Sequence, residues 1–195
     1  MTALNDISLL SFDDPFISKR GSKSCKLKYE TGDLTHTPNS FLRVPFVPST
    51  FDKDPLATRL SLVIECDEEL HKYALALDEW AISYLATHSE RIFKKSMTVE
   101  QVRVNYNSLL KQQAGYAPTL KCKIDIEGRR GVCCWNESGE QVPHPEDWRQ
   151  FAVKPKLHFS HLWIMGAQYG IVVQMTDALL TPSESAPAVR ENPFK

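Results

Sequence analysis

The hydrophobic period of this chain changes twice, and that change limits what it can fold into. Through residue 65 apolar side chains alternate. Leu60, Leu62 and Ile64 are separated by Arg59, Ser61, Val63 and Glu65, as in a strand wetted on one face. From Asp67 the sequence DEELHKYALALDEWAISYLATHSERIF sets Leu70, Tyr73, Leu77, Trp80, Ala81, Tyr84 and Leu85 at steps of three and four, one apolar stripe on a helix of about six turns. Asp67, Glu68 and Glu69 open it and Arg91, Lys94 and Lys95 close it, the order that the helix dipole favours. Thr98 and Gln101 form a capping box for a second, shorter helix bearing Val102, Tyr106, Leu109 and Leu110. Period two returns after Pro118, where Leu120, Cys122, Ile124 and Ile126 alternate with Lys121, Lys123, Asp125 and Glu127.

Further strands are expected on both sides of the helices. Residues 25–29 alternate with Lys26 and Lys28 on one face, and Pro45 demotes residues 41–47 to an edge or a bulge. Residues 127–131 read as a hairpin turn into a strand at 132–135, and residues 136–150 as a polar loop. Strands at 156–165 and 169–179 are joined through Gly166-Ala167-Gln168. The expected organisation is a flexible N-terminal arm (1–22), one domain (23–180) with a helical insert at about 67–113, and a mobile C-terminal tail (181–195). This is a mostly β, α+β chain: three strands, a helical insert, then three or four strands. An oligonucleotide/oligosaccharide-binding (OB) barrel, closed or partly open, has its long helix between the third and fourth strands, and closure hides the edges that a small sheet leaves exposed. An α+β sandwich is the alternative.

Composition narrows the function. With 195 residues, 42% hydrophobic, the chain can bury a core, and a net charge of −1 excludes a polybasic coat. No apolar run reaches the roughly 20 residues of a membrane span, and the first residues lack a signal-peptide pattern, so an intracellular protein without a membrane is expected. The five cysteines show no CxxC spacing; a zinc site from Cys134, His144, His158 and His161 fits no strong template, and free thiols are the preferred reading. GxSxG, HExxH and a phosphate-cradling glycine loop are all absent, so no catalytic residues, metal or cofactor are expected. The acidic run Glu65, Asp67, Glu68, Glu69 serves as the first turn of a helix.

The charge is unevenly placed. Residues 65–90 hold seven acidic and one basic residue, whereas residues 91–130 hold nine basic and three acidic, and residues 19–59 eight basic and four acidic. Alternation sets Lys26, Lys28, Arg59, Lys121 and Lys123 outward. Each lysine alone is explained by solvation of a wet face. Several strands of one sign make a groove for a polyanion, and flat side chains beside it would stack bases. Arg43, Arg129 and Arg130 add charge, with Phe46 and Trp135 as stacking candidates and Trp148 and Tyr169 as weaker ones. Trp163, inside LWIM, reads as core.

Three stretches, YLATHSERIF, YAPTLKCKI and KPKLHFSHLWIMGAQYGIVVQM, together resemble a family of small proteins of giant DNA viruses of algae and protists, with related forms in some phages. The shared pattern ends in a hairpin, here Leu162-Trp163-Ile164-Met165-Gly166-Ala167-Gln168-Tyr169-Gly170. The resemblance implies an OB-like, non-enzymatic viral protein that binds single-stranded DNA in replication, recombination or repair, without a cofactor, in the cytoplasm or nucleus of an infected cell. It makes the Gly166/Gly170 turn and Trp163 fold determinants and the strand cations phosphate contacts. Replication proteins and a second copy of the chain are candidate partners. RNA stays open beside DNA, since no motif reads a 2′-hydroxyl. The competing readings are a protein-interaction or virion-associated structural domain and a metal-assisted nuclease.

Overall fold

The fold described is that of a computed structural model, over residues 7–19, 21–30, 32–50, 56–129 and 131–183. In chain order a 3₁₀ turn (Ile7–Leu9) precedes β1 (Leu10–Phe12), β2 (Phe16–Ile17), β3 (Lys23–Tyr29), β4 (Leu34–His36), β5 (Leu42–Arg43) and β6 (Arg59–Glu65). The helices are α1 (Glu68–Thr87), α2 (Ser89–Phe93) and α3 (Val99–Asn105). The strands β7 (Tyr106–Asn107), β8 (Leu110–Lys111), β9 (Thr119–Asp125), β10 (Cys133–Trp135) and β11 (Gln141–Val142) follow, then β12 (Phe151–Met165) and β13 (Gln168–Pro182).

The antiparallel pair β12–β13, 15 residues in each strand, is the spine. Its turn contains Gly166 at φ +60, a left-handed conformation that glycine adopts without strain. One edge of the spine takes three short segments in turn: β3 against residues 161–164 of β12, β4 against 157–159, and β5 against 152–153. Between β4 and β5 lies Pro155, which has no N–H to offer a neighbour. Along the other edge β7, β9 and β10 all run parallel to β13. The expected hairpin across residues 127–131 is therefore not formed. The turn exists, with Val132 N–H donating to Asp125 O at 2.7 Å, but β10 pairs with β13 and β11 rather than folding back on β9.

Strand β6 lies antiparallel to β9 over seven residues. The sheet is not closed into a barrel. The seam between β5 and β6 is spanned by the single bridge Ser49/Ser61 and by the Arg43–Glu65 ion pair at 2.9 Å.

Alternation along the strands separates two faces. Cys25, Leu27, Leu62, Ile64, Cys122, Ile124, Phe159 and Leu162 are all fully buried. Helix α1 covers them with Leu70, Tyr73, Leu77, Ala81 and Leu85, and Tyr73 meets Phe159 with ring centroids 5.4 Å apart. Asp67 caps α1 by accepting from Leu70 N–H at 2.8 Å, and the Thr98/Gln101 capping box opens α3 as expected.

Three sequence expectations are corrected. The long helix is two: it breaks at His88, and α2 ends at Lys94 in a left-handed conformation (φ 63). The helical insert ends at Asn105, and residues 106–111 return to the sheet as β7 and β8. Residues 10–12, expected within a flexible arm, form β1 and bury Leu10 and Phe12. Phe12 packs on Trp80 (5.1 Å) and Tyr84 (5.6 Å), while Arg91 donates to Phe12 O and to Asp14, so burial plus a charge-assisted clamp fixes the segment. Of the expected tail, residues 181–182 finish β13, and 184–195 lie outside the described residues.

Candidate functional site

The face of the sheet opposite α1 carries no helix among the described residues, and its side chains fall in rows set by strand register. One row runs Phe16 (β2), Ser24 (β3), Trp163 (β12), Gly170 (β13), Asn107 (β7). A second pairs Lys26 with His161 and Val172. A third runs His158, Gln174, Lys123, Ser61, with Arg59 and Asp125 paired beyond it.

Trp163 is outward and half-buried, against the expectation that it is core. Its indole lies over Gly170: a Cβ there would stand 3.1 Å from Trp163 Nε1 and 2.9 Å from Asn107 O. Any larger residue would force the ring or the strand at Asn107 to move. Two strands away, roughly 10 Å by ordinary strand spacing, Phe16 is 67% exposed on the same face.

Two adjoining hollows lie beside this row, and Trp163 lines the first of them. One, of about 350 Å³, is lined by Lys121, Lys123, Trp163, Val172 and residues 107–109. The other, of about 520 Å³, is lined by Lys26, Arg59, Arg129, His158, His161 and Gln174, with Asp33 and Asp125 at its border. They meet where Lys123 pairs with Gln174 and Val172 with His161.

The wall formed by residues 106–109 is held from behind. Asp78, buried on α1, accepts from Tyr106 Oη at 2.7 Å, from Ser108 Oγ at 2.5 Å and from Leu109 N–H at 3.0 Å. Burial nonetheless raises its pKa, against the pull of these three donors.

The cations on this face act on one another. Burial lowers the pKa of the Lys123 ammonium, and Lys121 and Arg59 lower it further, while Lys123 Nζ donates to Ser61 Oγ at 2.8 Å. His158 and His161 are held below their ordinary value by burial first; Lys26 adds to this at His158, against the attraction of Asp33, and Arg59 adds to it at His161. Lys26 pairs with Asp33 (2.9 Å) and Arg59 with Asp125 (3.7 Å); such half-exposed pairs are worth only ~0–1 kcal/mol and exchange readily. Lys121 and Arg129 have no ion pair among the described residues.

The structure thus brings together Lys26, Arg59, Lys121, Lys123 and Arg129. Lys28 shares the face one pair further along β3 but is engaged by Asp13 at 2.8 Å. Arg43 lies at the seam, paired with Glu65, and Phe46 is exposed on the following loop; neither lines a hollow. Trp135 sits on β10, its Nε1 donating to Asp177 Oδ1 at 3.4 Å, and lines neither hollow. Arg130 lies outside the described residues. Trp148 and Tyr169 are buried, so neither can stack on a ligand, and Tyr169 donates its hydroxyl to Val102 O at 2.9 Å.

Cys134 is buried, with its thiol pushed up to about 11, and no group of three or more metal-ligating side chains gathers among the described residues. No helix among them is long and apolar enough to cross a membrane.

Sequence reading did not single out Phe16, took Trp163 for core, and weighed His158 and His161 only as zinc ligands. The signal for Trp163 was there in the alternation, since a buried Leu162 turns its neighbour outward. A register shift between Phe159 and His161 resets the phase of β12 and hides it.

No protein-family model matches the sequence, and a comparison with curated proteins returns no match. The resemblance carried by the closing hairpin stands as a resemblance. Among solved structures, the chain is similar to the single-stranded DNA-binding protein of bacteriophage Enc34. In complex with single-stranded DNA that protein gives a TM-score of 0.44 at 9% identity, covering 90% of this chain and 94% of that one. Free of DNA it gives 0.46 at 10% identity, covering 93% and 96%. The chain is also similar to gp2.5, a single-stranded DNA-binding protein encoded by bacteriophage T7, with a TM-score of 0.45 at 11% identity over 84% of this chain and 92% of that one.

Proposed function

We propose that this chain is an OB-like, non-enzymatic module that binds single-stranded nucleic acid, DNA in the first place, along the helix-free face of its sheet, and serves replication, recombination or repair. The observation that carries the reading is the Trp163 indole, laid over Gly170 and lining the first of two adjoining hollows that together hold Lys26, Arg59, Lys121, Lys123 and Arg129. A flat, half-exposed ring accepts any base, at ~1–3 kcal/mol per stacked base, which suits a strand whose bases are unpaired. The cations crowd one another in the free protein, and a phosphodiester backbone relieves that repulsion while its counterions are released. The acidic helix α1 lies behind the sheet, on the face opposite these cations.

The test is anisotropy of fluorescent oligothymidine at two salt concentrations. Binding that weakens with salt is expected. The variant K121E/R129E, which changes one exposed cation in each hollow, is expected to lose roughly tenfold or more in affinity with little change in melting temperature, because neither side chain is buried or ion-paired. Unchanged affinity in that variant would place the ligand elsewhere.

A further inference from the structure

Resting on the reading above, we propose that the hollow lined by Lys26, Arg59, Arg129, His158 and His161 is a phosphate subsite whose two imidazoles take up protons when a phosphodiester enters, so that the chain holds a single strand more tightly in mild acid than at pH 8. The two histidines come from neighbouring positions on β12, where the register shift between Phe159 and His161 turns both toward the same side of the sheet.

Every element around them contributes a charged or polar group. β3 brings Lys26, the segment before β4 brings Asp33, β6 brings Arg59, β9 brings Asp125, the following turn brings Arg129, and β13 brings Gln174 and Thr176. Three fixed cations against two carboxylates make this a place for an anion, and they repel a metal ion that two neutral imidazoles would otherwise attract. The carboxylates are already engaged: Asp33 by Lys26 at 2.9 Å and Asp125 by Arg59 at 3.7 Å. His158 Nε2 is buried, has no hydrogen-bond partner among the described residues and lies 4.0 Å from Asp33. His161 Nδ1 is 2.8 Å from Ser160 Oγ, which fixes its ring.

In the free protein, burial and the neighbouring cations disfavour the charged form of both rings. A phosphate group placed among them reverses the local field and favours the imidazolium form, which donates from both ring nitrogens. Linkage then requires that proton uptake strengthen binding as pH falls. The placement also suits a strand stacked on Trp163: His161 is two residues back along β12, roughly 7 Å, within reach of the next phosphate.

The experiment is oligothymidine binding across pH 5.5–8 at constant ionic strength, since thymine does not titrate in that range. For the native chain the dissociation constant is expected to fall at least tenfold from pH 8 to pH 5.5. H158Q/H161Q should reduce that ratio to within twofold, and H144Q, on an exposed loop outside the hollow, should keep it. The imidazole proton resonances of the native chain give a second readout, with both pKa values expected to rise when oligothymidine or inorganic pyrophosphate is added. A flat native profile with binding intact, or a full profile surviving in H158Q/H161Q, overturns the subsite and leaves the nucleic-acid reading standing. Absence of oligothymidine binding at every pH sinks that reading instead, and the pyrophosphate titration then decides the subsite by itself, unmoved imidazoles overturning it.

Discussion

The two faces of this sheet are built from the same strands, often from adjacent residues, and differ in nearly every respect. Leu162 is fully buried against the helical layer, while Trp163, the next residue, lies half-exposed over Gly170. Cys122 is fully buried between Lys121 and Lys123, which line a hollow on the opposite side. One face is closed by helices and aliphatic packing. The other keeps cations, two histidines and an indole in register, with no helix laid over them among the described residues. The contrast separates residues that hold the fold from residues that remain available, position by position along one strand.

Substitution at a single pair of neighbours breaks or confirms that division. Leu162→Ala removes a buried side chain from a packed layer and should cost ~2–5 kcal/mol of unfolding free energy in denaturant titration, with the folded fraction still binding oligothymidine normally. Trp163→Ala should cost less stability but weaken oligothymidine by roughly 1–3 kcal/mol, the worth of one stacked base. If Leu162→Ala weakens affinity more than Trp163→Ala does in the folded protein, the two faces are not functionally distinct.

Much of this division was legible before any coordinates. The strands β6 and β9, α1 with its stripe and acidic first turn, the α3 capping box and the Gly166 turn all follow from period and local chemistry. Local pattern was blind to three things. It could not see that residues 10–12 would be recruited, because Phe12 has partners only where Trp80 and Tyr84 meet it. It could not see that β10 would leave β9 for β13, since both edges of the spine are shared by segments far apart in sequence. Nor could it phase Trp163 or His158 and His161 through an irregular β12. Of the cations brought together, those at 26, 59, 121 and 123 were readable as outward, and Arg129 only as a residue of a turn. That they are neighbours is a property of pairing alone.

Gly170→Ala sharpens the comparison from within the outer face. A methyl group there would meet Asn107 O at 2.9 Å and Trp163 Nε1 at 3.1 Å, both inside ordinary contact distance. Relief requires the indole to tilt or the wall at residues 106–109 to move, and Asp78 holds that wall through Tyr106, Ser108 and Leu109. The expected cost is ~1–3 kcal/mol of stability, a changed tryptophan emission, and weaker oligothymidine binding although no ligand-facing side chain has been removed. Unaltered emission and affinity would mean that the ring does not depend on the close approach.

The smallest effect tests the outer face through its protons. Burial lowers His158 and His161 below their ordinary value of 6.5, so the folded chain binds fewer protons than the unfolded chain in the window just below that value. Their contribution to stability is therefore fully present above pH 6.5 and is lost as pH falls from 6.5 toward the lowered values. Asp78 has the opposite sign: its raised value favours the fold in acid and loses that contribution as pH rises through it. A melting temperature lower by a few degrees at pH 5.5 than at pH 7.5 is expected for the native chain, with the difference reduced in H158Q/H161Q. Saturating oligothymidine should shrink the same difference, because a phosphate beside the imidazoles makes protonation favourable in the folded state as well. The inner face carries neither of these histidines and predicts no such coupling, so a pH dependence of melting that oligothymidine leaves untouched would return the two histidines to the status of buried polar residues.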